Sequence, residues 1–214
     1  MEPIVHFEKT GVSLGGRPVL RDVELVVEPG EAVGIAGPNG SGKTTLVRTA
    51  ATLVSIDRGT LHLFGHDVDT ADVVAIRSAI GLIGHQPTLI PELTLYENLR
   101  HVCRLAGIEE TRIGRALEVV GLADAAGRRA QDSSFGMKRR VEIAHLLLTR
   151  PTLLLLDEAS SGLDEAARGL IATLVKSVCT RGGGCIVVSH DASQLSETCA
   201  RVAHLSNGAL EGAR

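Results

Sequence analysis

Aromatic side chains are scarce in this chain. They make up 2 % of 214 residues, with no Trp, one Tyr and three Phe. The core therefore has to come from Leu, Val, Ile and Ala, and a hydrophobic content of 44 % is enough for a sizeable one. No apolar run approaches the roughly 18 residues a spanning helix needs, so no membrane span is expected. The start, Met1-Glu2-Pro3-Ile4-Val5, lacks the basic-then-apolar pattern of a signal peptide. Net charge is only −3, which argues against broad nucleic-acid binding. The four cysteines, Cys103, Cys179, Cys185 and Cys199, have no paired metal spacing and read as free buried thiols of a reducing compartment. The eight histidines include no H-x-x-x-H pair that would suggest zinc. Internal repeats, low-complexity stretches and coiled-coil insertions are absent too. The length fits one domain, or one domain with a lobe.

What is present begins with Gly37-Pro38-Asn39-Gly40-Ser41-Gly42-Lys43-Thr44, a complete G-x-x-x-x-G-K-[ST] phosphate-binding loop. A polyphosphate needs several backbone N–H groups converging on one place. Gly37, Gly40 and Gly42 let the chain bend into that cradle. Lys43 supplies charge for the β- and γ-phosphates, the Thr44 hydroxyl can ligate Mg²⁺, and Thr45 is expected among the phosphate-binding residues of the loop. Ala32–Ala36 before the loop reads as a buried strand. The residues after it read as a helix whose N-terminus faces the phosphates.

A second segment points to hydrolysis. Leu153–Leu156 is a short apolar run ending in Asp157-Glu158, as a central parallel strand would. Ligands bind at the carboxyl ends of such strands. Asp157 is expected to hold Mg²⁺ through a water. Glu158 is expected to act as general base or water positioner for attack on the γ-phosphate.

Around these motifs the chain is organised in three stretches. Residues 1 to about 66 alternate short strands and turns, including Val19–Val27 and Leu61–Phe64. A helix over about 72–80 leads to the apolar Ile80–Gly84. Then Leu93–Leu105, Glu109–Val120 and Met137–Leu148 read as helices, separated by Gly107, Gly121 and Gly127. From Thr152 strands and helices alternate again: Leu153–Leu156, Asp164–Cys179 and Cys185–Val188. Asn207-Gly208 is a hairpin signal.

Three further pieces fall in a recognisable order. Gln86 follows Ile80–Gly84, Ser133-Ser134-Phe135-Gly136-Met137 opens a helix, and His190 closes the Cys185–Ser189 strand. With the phosphate loop and the Asp-Glu pair, this order resembles the ATP-binding subunit of ABC transporters over nearly the whole chain. The resemblance implies an α/β fold of the P-loop NTPase type, with a mixed sheet core, an antiparallel β part and a helical lobe. It implies a core of about 1–86 and 150–214 and a lobe of about 87–149. By motif position, Gln86 is a Mg²⁺ and water ligand that senses nucleotide, and His190 is the switch histidine that contacts the γ-phosphate. Ser134 and Gly136 are signature residues acting on ATP held by the other subunit, and Ser161-Gly162-Leu163-Asp164 is the D-loop. The implied cofactors are ATP and Mg²⁺. The implied partners are integral membrane subunits and a second copy that docks when ATP binds, with no nucleic acid and no direct contact with cargo. The implied place is the cytoplasmic face of the cell membrane.

The signature also has a reading of its own. A helix start carries unpaired N–H groups and partial positive charge, so Ser134 and Gly136 make an anion site without a lysine. The trio Lys138–Arg140 reads equally as a long-range positive field or a solvated helix face. Several residues depart from the family pattern. Ser133, Phe135 and Met137 stand where Leu, the first Gly and Gln are usual, so Met137 cannot close a capping box on Ser134. Ala159 replaces a proline, which is expected to loosen its loop. Val12–Arg17, where an aromatic usually stacks on adenine, has none; Leu14 or Arg17 is left for that contact.

Within the family, Gly84-His85-Gln86-Pro87 followed by Leu93-Thr94-Leu95-Tyr96-Glu97-Asn98-Leu99 resembles the heme-exporter ATPase of cytochrome c maturation. His85 itself reads as a loop residue, not a heme ligand. The rival within the class is an exporter of drugs, lipids or other small molecules. A soluble translation factor of the class usually carries two such domains, and a DNA-repair relative needs a long coiled coil. A non-catalytic nucleotide sensor sits poorly with Lys43, Asp157, Glu158 and His190 all in place.

Overall fold

The computed structural model describes residues 2–190 and 192–212. Among these the chain divides into two compact units. The first comprises 1–82, 151–159 and 175–214; the second comprises 83–150 and 160–174.

The first unit holds two sheets. Strands β1 (Val5–Leu14), β2 (Arg17–Val27), β4 (Arg58–Leu63) and β5 (His66–Asp67) form an antiparallel sheet in the order β2-β1-β4-β5. Gly15-Gly16 closes the β1–β2 hairpin, where Leu14 faces Arg17. The other sheet has the order β10-β9-β3-β8-β7-β6. Its strands are β3 (Ala32–Ala36), β6 (Ile80–Ile83), β7 (Leu153–Asp157), β8 (Gly184–Val188), β9 (Arg201–Ser206) and β10 (Ala209–Glu211). Strand β3 runs parallel to both β8 and β9, and β7 is parallel to β8. Every residue of β3 and β7 is buried, as continuous apolar runs in a parallel sheet require. Asn207 and Gly208, both at positive φ, turn β9 into antiparallel β10.

Helices α1 (Lys43–Ala50), α2 (Val73–Ser78) and α7 (Ala192–Thr198) belong to this unit. Helix α1 buries Leu46, Val47 and Ala50 among Val33, Ile35, Leu155, Ile186 and Val188. Each such aliphatic side chain contributes about 1.5–3 kcal/mol by leaving water. Phe7 and Phe64 also pack into this core.

The second unit is helical. It contains α3 (Leu95–Ala106), a 3-10 turn at 110–112, α4 (Ile113–Val119) and α5 (Phe135–Thr149). The stretch expected as one helix from 109 is thus split, and α5 begins two residues earlier than its sequence suggested. Thr94 starts α3 with a full capping box: its hydroxyl accepts from the Glu97 N–H at 3.1 Å, and Glu97 accepts from the Thr94 N–H at 2.9 Å. Helix α6 (Glu165–Thr180) begins in this unit and ends in the first. Among the described residues no helix is long and apolar enough to cross a membrane.

Candidate active site

The register of the parallel strands brings the candidate groups of the first unit to one sheet edge. Val188 pairs with Ile35 on one side and Asp157 on the other. The residues that follow these strands, Gly37, Glu158 and Ser189-His190, therefore leave the sheet side by side. That is the carboxyl edge where such folds bind ligands.

The phosphate loop is built from strict backbone requirements. A Cβ on Gly37 would lie 2.2 Å from the Leu205 carbonyl oxygen. Gly42 is left-handed at φ 109°, and a Cβ there would press on Leu20 and Val19. Helix α1 starts directly behind Gly42 with no side-chain cap, so its first N–H groups are left to the loop. Lys43 is 7 % exposed, and its ammonium donates to the carbonyls of Gly37 at 2.7 Å and Pro38 at 2.9 Å. Those bonds hold one positive charge at the mouth of the cradle. The loop is backed from behind: Gly208 N–H donates to Ser41 O at 3.2 Å, and Arg21 N–H donates to Gly208 O at 2.8 Å. The Ser41 hydroxyl is buried and has no hydrogen-bond partner among the described residues.

Glu158 stands beside this loop in a left-handed backbone conformation, φ 54°. For a residue with a side chain that strain costs about 1–3 kcal/mol. Its N–H donates to Val188 O at 3.0 Å, which ties the strained residue to β8. Its carboxylate meets His190 Nδ1 at 2.8 Å. A carboxylate only accepts, so Nδ1 carries the proton and Nε2 is left for another partner. The Glu158 side chain is 18 % exposed and that of His190 69 %. Asp157 is buried at the end of β7, whereas Thr44 is exposed on the first turn of α1.

The second unit carries the other candidates. Ser134 is the N-cap of α5; its Oγ accepts from the Met137 N–H at 3.2 Å. Met137 returns no bond to the cap, as expected. A Cβ on Gly136 would meet nothing within 4 Å. Gln86 is exposed, as is His85. The segment around them is pinned to α5 by a buried ion pair. Arg139 is fully buried; it donates to Glu142 at 2.7 Å and to the His85 carbonyl at 2.9 Å. Glu142 accepts in turn from the Thr88 N–H at 2.9 Å. Burial pushes the Glu142 carboxyl up and the Arg139 guanidinium down from their usual ranges, against the hydrogen bonds and mutual attraction of the pair.

The basic trio is corrected by these contacts. Arg139 is buried and paired, and Arg140 donates to Asp164 at 2.6 Å, so neither is a free surface charge. Asp164 also accepts from the Ala167 N–H at 2.8 Å, capping α6, and that bond and then Arg140 hold its carboxyl below the usual range. In the loop before it, Ser161 and Gly162 are exposed and Leu163 is buried. The thiols need a correction as well: Cys103 and Cys185 are buried, but Cys179 and Cys199 are partly exposed. The sequence signalled the β9–β10 hairpin at Asn207-Gly208 but not three contacts: the backing of the phosphate loop by that hairpin, the approach of Val19 to Gly42, and the Arg139–Glu142 pair. An i,i+3 charge pair on one helix was the available signal for the last.

Residues 20–161 match the family model described as ABC transporter. The Nod factor export ATP-binding protein I of Paraburkholderia xenovorans is 32 % identical over 211 residues, covering 97 % of this chain and 69 % of that protein. The cytochrome c biogenesis ATP-binding export protein CcmA of Cupriavidus necator is 36 % identical over 190 residues, covering 88 % and 83 %. Among solved structures, an ATP-binding cassette in a dimeric post-hydrolysis state with ADP and phosphate superposes with a TM-score of 0.87. It is 26 % identical, with 98 % of this chain and 99 % of that one covered.

Proposed function

The chain belongs to the ATP-binding proteins of ABC transporters and is the ATPase of a membrane transporter, and from that premise we propose that it powers an exporter, most specifically one of heme for cytochrome c maturation. The contact between Glu158 and His190 at 2.8 Å, beside a complete phosphate loop, carries the catalytic part of this reading. Lys43 and the N–H groups of the loop and α1 bind the β- and γ-phosphates. Glu158 orients the attacking water and takes its proton. His190, fixed through Nδ1, offers Nε2 to the γ-phosphate. The hydroxyl of Thr44 and the carboxylate of Asp157 are hard oxygen donors that would hold Mg²⁺, and the role of Gln86 as a Mg²⁺ ligand rests on its motif position alone. When bound, that ion neutralises phosphate charge; the residues position it. Ser134 and Gly136 serve the nucleotide of a second copy, in a dimer like that of the similar cassette. The D-loop residues Ser161, Gly162, Leu163 and Asp164 are assigned to the same interface.

The chain is proposed to sit peripherally on the cytoplasmic face of the membrane, docked on separate integral subunits. The heme reading rests on Gly84-His85-Gln86-Pro87 and the cytochrome c biogenesis relative. A second reading, export of another small molecule, is favoured by the Nod factor export relative.

Two measurements test these levels separately. Glu158→Gln is expected to slow ATP turnover by about 10²–10⁴-fold while ATP binding persists. Near-normal hydrolysis in that variant removes Glu158 from its role. Deleting the protein from its source cells is expected to abolish heme-stained c-type cytochromes. Unchanged cytochromes reject heme export and leave the ATPase assignment intact.

A further inference from the structure

We propose that Cys179 and Cys185 form a dithiol that hydroperoxides oxidise to a disulfide, a modification site on the first unit outside the nucleotide machinery. Cys179 lies on the last turn of α6 and Cys185 is the second residue of β8. Their sulfurs are 3.7 Å apart. The linking residues, Thr180-Arg181-Gly182-Gly183-Gly184, form a tight return. Gly182 N–H donates to Cys179 O at 2.9 Å and Gly183 N–H to Val178 O at 3.0 Å. Bonding requires the sulfurs to close from 3.7 Å to about 2.05 Å.

The two thiols differ in the way a nucleophile and a resolving thiol differ. Cys179 is partly exposed, whereas Cys185 is fully buried on a strand paired with Ala32. The Cys185 thiol against the Cys179 sulfur brings Cys179 down to about 7, with burial and Glu31 opposing. The same contact, together with burial, pushes Cys185 up, with Cys199 adding to the shift and Arg181 opposing it. Cys199 is pushed up to about 12, chiefly by burial, and burial also raises Cys103. Of the two, Cys179 is the one within reach of solvent, and its shift is in the direction that favours a thiolate.

The chemistry needs only the peroxide. The Cys179 thiolate attacks the terminal peroxide oxygen, the O–O bond breaks, and hydroxide from hydrogen peroxide, or alkoxide from an organic hydroperoxide, leaves with the electron pair, giving a sulfenic acid. The Cys185 sulfur then attacks the Cys179 sulfur. The S–S bond forms, the S–O bond breaks, and the thiol proton leaves with the departing oxygen as water. Two electrons pass from the thiols to the peroxide.

The test uses the full chain, reduced and then exposed to hydrogen peroxide at neutral pH. The reduced protein titrates four thiols when unfolded. After peroxide it is expected to titrate two fewer. Trypsin should then release the Ser177–Arg181 peptide joined to Gly182–Arg201 with loss of two hydrogens. The second peptide also contains Cys199, so the linkage is repeated in Cys199→Ser, where it is expected to persist. Cys179→Ser is expected to lose it. An undiminished thiol count, a link that disappears in Cys199→Ser, or Cys179 ending as sulfinic acid without a link overturns the proposal.

Discussion

At the residue scale, candidate groups were legible wherever the proposed chemistry demands a particular side chain. On the proposed function, Lys43, Asp157, Glu158 and His190 stand out because phosphate charge, metal ligation and proton transfer each need a specific group at or just beyond the end of an apolar strand. What was not legible is conformation and contact at a distance. Nothing in the letters around Glu158 announces a left-handed backbone, and its partner His190 lies 32 positions along the chain. The adenine question shows the same divide. The sequence reveals that Val12–Arg17 has no ring; the structure shows where the rings went. Phe7 and Phe64, the two Phe of the first unit, are packed into its core. Leu14 and Arg17 sit exposed on either side of the hairpin turn, while Val19 approaches the phosphate loop at Gly42. Aliphatic contact does not distinguish purines. ATP and GTP are therefore expected to bind within about tenfold, or roughly 1.4 kcal/mol, of each other. Equilibrium titration with both nucleotides checks this; a hundredfold preference for ATP means that another group reads the base.

At the element scale, periodicity located the helices but not what their polar residues do. The Thr-x-x-Glu-Asn run before and into α3 reads as a family motif. Its residues have folding jobs: Thr94 and Glu97 cap the helix, and Asn98 accepts from the Ile90 N–H at 2.8 Å and donates back to the carbonyl of Thr94 at 2.9 Å. A motif that builds a loop says little about cargo, which is why this part of the run discriminates poorly between exporters. In α5, three consecutive basic residues read as a positive field or a solvated helix face because charge is visible in a sequence and burial is not. The structure buries the middle one against Glu142 and uses the pair to hold His85 and Thr88, which bracket Gln86. Removing one member leaves an uncompensated charge in the interior. Arg139→Met is expected to destabilise the protein by about 3–5 kcal/mol. Adding Glu142→Gln removes the stranded charge and keeps an acceptor for Thr88, so much of the loss should return. Urea unfolding of the two single variants and the double gives the coupling directly. Additive effects, with no recovery in the double variant, mean that the pair does not act as a unit.

At the scale of the whole molecule, the order of motifs along the chain made the fold class legible, because each motif ends or begins an element of one sheet or one helix. The partner was not legible in the same physical sense: one chain's sequence carries no contact between two chains. The structure adds a specific clue at Gly136. Its backbone is not left-handed, and a Cβ there would touch nothing within 4 Å, so nothing among the described residues requires glycine. The requirement, on the proposed function, comes from nucleotide carried by a second copy approaching the start of α5. Gly136→Ala is therefore expected to fold normally, stabilised by less than about 1 kcal/mol because Ala favours helix over Gly. ATP binding to the chain's own phosphate loop should be unchanged. In a Glu158→Gln background with ATP, the unmodified signature should give a dimer by sedimentation, since the trapped γ-phosphate links two chains. Gly136→Ala should weaken that dimer and Ser134→Arg abolish it, by bulk and by loss of the hydroxyl donor. A Gly136→Ala protein that dimerises as strongly as its parent places the second copy elsewhere. If the Glu158→Gln parent stays monomeric above its nucleotide affinity, Phe135→Gly with Met137→Gln decides the cause. Recovery of the dimer assigns the failure to those two side chains, and continued monomer assigns it to the need for membrane subunits that align the pair.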